Sequence, residues 1–143
     1  MGKILGIDHG SKRIGVALSD ETNAIAFPKE IIEASGKYLN KIAEFVRSND
    51  VSTVVIGYPL NMKGEMSKQT EVVAGFIDML REILPVQVEL VKWDERLTSK
   101  MAESFVIDSG MKKKKRQDKS NLDTLSAVFI LQSYLDRRPP LKS

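Results

Sequence analysis

Apolar residues at the start of this chain cluster in short segments between turn residues and later take up helical spacing, which divides the sequence into elements. Residues 3–9 (KILGIDH) and 13–19 (RIGVALS) read as two strands joined by a Gly-Ser turn around Gly10. A shorter strand at 24–27 (AIAF) follows the polar DETN stretch, and Pro28 is expected to close it. Within 37–49 the period becomes helical: Leu39, Ile42, Ala43 and Val46 fall at i, i+3, i+4 and i+7. Residues 53–57 (TVVIG) form a continuous apolar run, the mark of a strand covered on both faces. The loop YPLNMKG, bracketed by Pro59 and Gly64, leads to a second helix over 68–84. That helix turns Val73, Phe76, Ile77, Leu80 and Leu84 inward and stops before Pro85. Residues 86–92 (VQVELVK) predict a fifth strand. Thr98 can cap a third helix to about 108, ended by Gly110. A last helix is predicted over 121–136, with Ala127, Ile130, Leu131 and Tyr134 on one face.

The order βββαβαβαα defines an α/β fold. A meander feeding βα crossovers implies a five-stranded mixed sheet, antiparallel at first and then βαβα, with helices on both faces. The first strand can then sit centrally, between its hairpin partner and the fourth strand. Chain direction reverses there, and a crevice opens at the strand ends, where open α/β sheets bind ligands. The length of 143 residues suits one domain, expected over 1–136, with an inter-helix loop at 111–120 and a short tail at 137–143.

Charge sharpens this picture. The chain carries 22 Lys+Arg against 19 Asp+Glu, a net +3. Residues 111–120 (MKKKKRQDKS) alone hold +5, which leaves the rest at −2. A block of this kind is either a solvated loop or a contact for a polyanion. If its six cations met phosphates, binding would weaken with salt at a log–log slope of about −5. No amphipathic helix or lipidation signal accompanies the block, so nucleic acid is favoured over membrane. The chain has no cysteine and one histidine, His9, which removes thiol catalysis, zinc–thiolate sites and multi-histidine metal sites. No apolar run approaches a membrane span, and an Asp within eight residues of the N-terminus argues against a secretory signal. The expected location is cytoplasmic.

Carboxylates carry the remaining chemistry. Asp8 closes the first strand between Gly6 and Gly10. Asp94 and Glu95 follow the fifth strand in WDERLTS, and Asp123 lies in the first turn of the last helix. Asp123 shares a helical face with Ala127, Ile130 and Tyr134, an expensive place for a carboxylate unless it is paired or binds metal. Each acid also has a plainer reading. Asp8 can serve the strand-to-turn hydrogen bonds, Glu95 can pair with Arg96 or Lys92, and Asp123 fits a capping box with Ser120. His9 reads as a turn residue or a proton shuttle, and Tyr58 and Trp93 as core or crevice aromatics. Together the acids suggest a hard-cation site, because Mg²⁺ prefers oxygen ligands and keeps several waters. Two such ions about 4 Å apart can activate water and stabilise the leaving oxygen of a phosphodiester.

GIDHGSKRIGVALSD, VVIGYPLNMKGE, WDERLTS and NLDTLSAVFILQSYL, in this order, resemble the successive motifs of the YqgF/RuvX family. The resemblance spans residues 4 to about 135. It implies an RNase H-like fold related to the resolvase RuvC. It also implies a nuclease maturing the 5′ end of pre-16S rRNA, with Holliday junction resolution as the alternative activity. Carried over by motif, Asp8, Glu95 and Asp123 would form an acidic triad holding Mg²⁺ or Mn²⁺, expected as two ions, with Asp94 as a substitute for Glu95. Arg13, Asn61, Lys63 and Arg96 become candidates for phosphate or positioning contacts; for Arg13 and Arg96 the plainer reading is an ion pair to the same carboxylates. Lys112, Lys113, Lys114, Lys115, Arg116 and Lys119 would grip the nucleic-acid backbone. His9 and Tyr58 depart from the family's commoner residues. The stretch DHGSKRIGVAL also resembles the first phosphate motif of sugar-kinase and actin-like ATPases, but the expected single domain offers no second lobe to enclose a nucleotide. A non-catalytic nucleic-acid adaptor is a third possibility. The partner expected is pre-rRNA or branched DNA, bound by a monomer or weak homodimer.

Overall fold

A computed structural model describes residues 2–96 and 119–137, with the backbone alone for 119–124. Five strands form one sheet: β1 (Lys3–His9), β2 (Arg13–Ser19), β3 (Ala26–Glu33), β4 (Val51–Tyr58) and β5 (Glu89–Asp94). Three helices accompany them among the described residues: α1 (Tyr38–Ser48), α2 (Lys68–Ile83) and α3 (Lys119–Arg137). The helix expected near 98–108 and the basic segment 111–118 lie outside the described residues.

The strand order is β3-β2-β1-β4-β5. β1 pairs antiparallel with β2 and parallel with β4, so direction reverses beside it, as the meander and crossovers require. β4 and β5 are parallel, and the C-terminal ends of β1, β4 and β5 therefore share one edge. The hairpin between β1 and β2 closes where the Gly10 N–H donates to the Arg13 carbonyl at 2.9 Å. A Cβ on Gly10 would meet that carbonyl oxygen at 2.5 Å.

Pleat alternation divides the side chains between two faces. Leu5, Ile7, Ile14, Val16, Leu18, Val54 and Ile56 point to the side covered by α1 and α2, where Ile42, Val46, Val73, Phe76, Ile77 and Leu80 complete the larger core. Ile4, Ala17, Ala26 and Val55 point to the other side, where Ala127, Ile130, Leu131 and Leu135 of α3 cover them. α2 starts at a capping box: Ser67 Oγ accepts the Thr70 N–H, and Thr70 Oγ1 accepts the Ser67 N–H. The Thr70 hydroxyl also donates to the Pro59 carbonyl, which ties the helix start to the end of β4.

Two strand expectations are corrected. β3 does not end at Pro28 but runs on to Glu33. It is an edge strand, where proline's missing N–H costs no ladder bond on the open side. A register shift between Val16 and Ala17 sets Pro28 opposite Ala17 and Glu30 opposite Val16. The fifth strand is also displaced, to Glu89–Asp94 instead of 86–92. Val86 is fully exposed, and the Val88 N–H donates to the Pro85 carbonyl at 3.0 Å, so a turn occupies the start of the predicted strand.

Candidate active site

Alternation decides which acids meet. In β1, Asp8 follows Ile4 and Gly6 onto the face covered by α3. In β5, Val91 and Trp93 lie on that same face, and continuing the period places Glu95 there and Asp94 on the opposite face. The Glu95 N–H donates to the Tyr58 carbonyl at 3.2 Å, which holds the residue in line just past the strand end. Asp8 and Glu95, from strands separated by β4, thus come together, and their side chains share a hydrogen bond.

Gly57 makes room for this pair. It lies on β4 between the two acid-bearing strands, and a Cβ there would sit 2.5 Å from Glu95 Oε1 and 2.5 Å from Ile130 Cδ1. Glu95 is pressed between the strand backbone and α3, and loss of hydration raises its pKa above the ordinary value. The Asp8 hydrogen bond opposes that rise, and the nearby Asp94 charge adds to it. A hydrogen bond between two carboxyl groups requires one proton between them. Oxygen ligands crowded together and short of positive charge are a set that could hold a divalent cation in place of that proton.

Asp94 faces away and is spent on Arg96. Nε donates to Oδ1 at 3.1 Å and to Oδ2 at 3.0 Å, and Nη2 donates to Oδ2 at 2.6 Å. Those bonds hold the Asp94 carboxyl below the usual carboxylate range and raise the guanidinium. Arg96 also donates to the Met62 carbonyl at 3.4 Å. Asn61 serves its own loop, its Oδ1 accepting the N–H of Lys63 at 3.0 Å and of Glu65 at 2.9 Å. Arg13 opens β2 and, two residues before Gly15, falls on the α3 face one strand from Asp8. Lys63 stands exposed in the loop after β4.

Residue 123 lies near the start of α3. Leu131 crosses Gly6, where a Cβ would meet its Cβ at 2.6 Å, and the Ala127 carbonyl lies nearer the helix start. The Asp123 side chain is not among the described ones. Among the described residues no group of three acids or histidines forms a metal cluster, so Asp8 and Glu95 are a pair. Lys112, Lys113, Lys114, Lys115 and Arg116 lie outside the described residues, and Lys119 is described in its backbone alone.

His9 takes no part in this pair. It points to the opposite face and packs on Phe76, with ring centroids 4.5 Å apart, and burial lowers its pKa. Trp93 is a fastener and not a stacking platform: its Nε1–H donates to Ser133 Oγ at 3.1 Å, and its ring meets Tyr134 edge-on at 5.5 Å. Tyr58 lies under Lys92, whose Nζ is 5.1 Å from the ring centre. The residue that sequence reasoning missed is Gly57; its signal was the glycine that ends the apolar run VVIG.

The architecture has counterparts among solved structures. Thermus thermophilus RuvC in complex with a Holliday junction substrate superposes with a TM-score of 0.56 at 13% identity, covering 99% of this chain and 100% of that one. The fowlpox virus resolvase, in complex with its Holliday junction DNA, superposes at 0.53 with 14% identity over 94% and 97% of the two chains. At such identities the likeness shows the fold alone: the chain has the RNase H-like architecture of these resolvases. Residues 2–137 match the model of the RuvX family, described as Holliday junction resolvase. A Sulfurihydrogenibium protein (strain YO3AOP1) named "Putative pre-16S rRNA nuclease" is 42% identical over 137 residues, 96% of this chain and 92% of the relative. A Bacillus cereus protein (strain AH187) of the same name is 41% identical over 140 residues, 95% and 99% of the two. The chain belongs to the RuvX family.

Proposed function

We propose that this protein is a divalent-metal-dependent nuclease that hydrolyses phosphodiester bonds in structured nucleic acid, and that its substrate is the 5′ end of pre-16S rRNA. The carrying observation is the Asp8–Glu95 pair, two carboxylates from non-adjacent strands held together at the sheet edge where open α/β folds bind ligands. The relatives' name supplies the substrate. Asp8 and Glu95 would hold Mg²⁺ or Mn²⁺, with Asp123 completing the site. Such ions, bound as a pair, supply activation of water and neutralise charge on the leaving oxygen. The absence of a side chain at Gly57 leaves the space that the Glu95 carboxylate occupies beside Ile130. Asp94 and Arg96 neutralise one another beside the site, and Arg13, Lys63 and the Lys112–Lys119 segment are assigned to phosphates.

The protein would work in the cytoplasm as a monomer or weak homodimer; among the described residues no helix is long and apolar enough to cross a membrane. Junction resolution is the second reading, favoured by the family's description, and it requires a dimer because paired cuts need paired sites. The test offers wild type and Asp8→Asn, with Mg²⁺ or Mn²⁺, a precursor rRNA 5′ extension and a four-way DNA junction. Wild-type-only cleavage of the RNA is expected. Faster cutting of the junction would favour resolution, and binding without cleavage, unchanged in Asp8→Asn, would make the protein an adaptor.

A further inference from the structure

The loop between β4 and α2 presents one apolar side chain to solvent on a fixed base. Met62, near its apex, is 89% exposed. Beneath it the backbone is held firmly. Asn61 Oδ1 accepts two N–H groups of the loop, the Asn61 N–H donates to the Glu65 carbonyl, and the Gly64 N–H donates to the Asn61 carbonyl, the last two at 2.9 Å. Gly64 adopts a φ of 81°, which an L side chain rarely takes. The Tyr58 hydroxyl reaches Met66 Sδ at 4.0 Å, and Arg96 ties the Met62 carbonyl to the strand end from the other side.

Single exposed apolar residues are ordinary on protein surfaces. What sets Met62 apart is the ordering around it. Fixing this loop costs backbone entropy, and Met62 buries nothing in return. Its loop leaves the C-terminal end of β4, the strand between those bearing Asp8 and Glu95, so Met62 and the neighbouring Lys63 stand at the same edge of the sheet as the carboxylate pair. An unbranched, flexible apolar side chain on a rigid support, flanked by positive charge, has the chemistry of a group that slips between stacked bases while phosphates are held alongside.

We propose that Met62 is a wedge. Resting on the nuclease reading above, it enters the base stack where a duplex meets an unpaired strand and directs that branch point to the Asp8–Glu95 pair. Opening a stack costs least where pairing is already interrupted, so the wedge selects branch points and duplex ends irrespective of sequence. Arg96 and Asn61 are its positioning residues: they bind the loop, and neither needs to touch a base.

The experiment uses an RNA hairpin with a 5′ single-stranded extension and 2-aminopurine in the pair that closes the duplex. Fluorescence is read with the full chain carrying Asp8→Asn, and cleavage is read with the wild-type background. Binding should raise the fluorescence. Met62→Ser, which keeps the backbone contacts, should abolish that rise and slow cleavage at the branch point about tenfold while changing cleavage of an unpaired strand less than about twofold. Met62→Leu should retain both. An undiminished fluorescence rise in Met62→Ser, or equal slowing on both substrates, overturns the wedge and leaves the nuclease reading standing. A Met62-dependent rise with no cleavage by wild type overturns the nuclease reading and supports the wedge. Absence of any rise on binding overturns the wedge outright.

Discussion

The two faces of the sheet are built from different residues for different purposes. Under α1 and α2 the strands present Leu5, Ile7, Ile14, Val16, Val54 and Ile56, and the facing helices answer with Phe76, Ile77 and Leu80. Under α3 the strands present Ile4, Gly6, Ala17, Val55 and Gly57, so that one helix lies almost on the backbone. Bulk on the first face maximises apolar burial, the main favourable term in folding. Smallness on the second brings Ile130 and Glu95 within contact of strand atoms and crowds two carboxylates together. That crowding opposes folding at neutral pH and would be relieved by a bound cation. The bulky face stabilises the fold, and the thin face arranges its chemistry.

Substitutions can break this division. Phe76→Ala, on the bulky face, should cost about 3–5 kcal/mol in denaturant unfolding, because the aromatic ring is fully buried. Asp8→Asn, on the thin face, should do the reverse: cleavage should fall at least about 100-fold, since even residues that only support metal ligands cost 10–100-fold, while thermal stability holds or rises. Gly57→Ala bridges the two cases. Its new methyl displaces Glu95 Oε1 and Ile130 Cδ1, so it should cost about 1–3 kcal/mol and depress metal binding, measured by the thermal shift with Mn²⁺.

Acidity sharpens the contrast. Glu95 is raised above its ordinary 4.5 by burial, so the folded chain binds its proton more tightly than the unfolded chain. Stability without metal is therefore greatest below 4.5 as far as this group is concerned, and its contribution is lost as pH rises through the raised value. Thermal melts of wild type against Glu95→Gln should isolate that slope, and Mg²⁺ or Mn²⁺ should oppose it increasingly as pH rises. The smallest effect belongs to Asp94→Asn. Its partly exposed pair with Arg96 is worth about 0.2–1 kcal/mol, and cleavage should change only a few-fold if the loop stays in place.

Much of this was legible in the chain. The short apolar segments KILGIDH and RIGVALS joined by a glycine turn, and the unbroken run TVVIG, lead to the strand order and the reversal beside β1. The choice between Asp94 and Glu95 is not legible in the sequence, because the two are adjacent and lie beyond the predicted strand 86–92. Phased from Val91 and Trp93, strand alternation assigns Glu95 inward. Pro28 predicts an early end to β3, but an edge strand tolerates proline, and edge position depends on pairing between distant segments. Asn61 and Arg96, candidates for phosphate or positioning contacts, bond within the chain, Arg96 in an ion pair of the kind its plainer reading expects; local sequence does not reveal that Asn61 closes its own loop.

The thin face also imposes an order of events. The strands that bear Asp8 and Glu95 are made before α3, and without that helix Gly6, Gly57 and the Glu95 carboxylate stand open to water. A ribosome-bound chain that has not yet delivered α3 would have hydrated, independently ionising carboxylates and no tight cradle between them. Competence to cut would then arrive with the docking of one late helix, so an unfinished copy would be held silent by its own incompleteness.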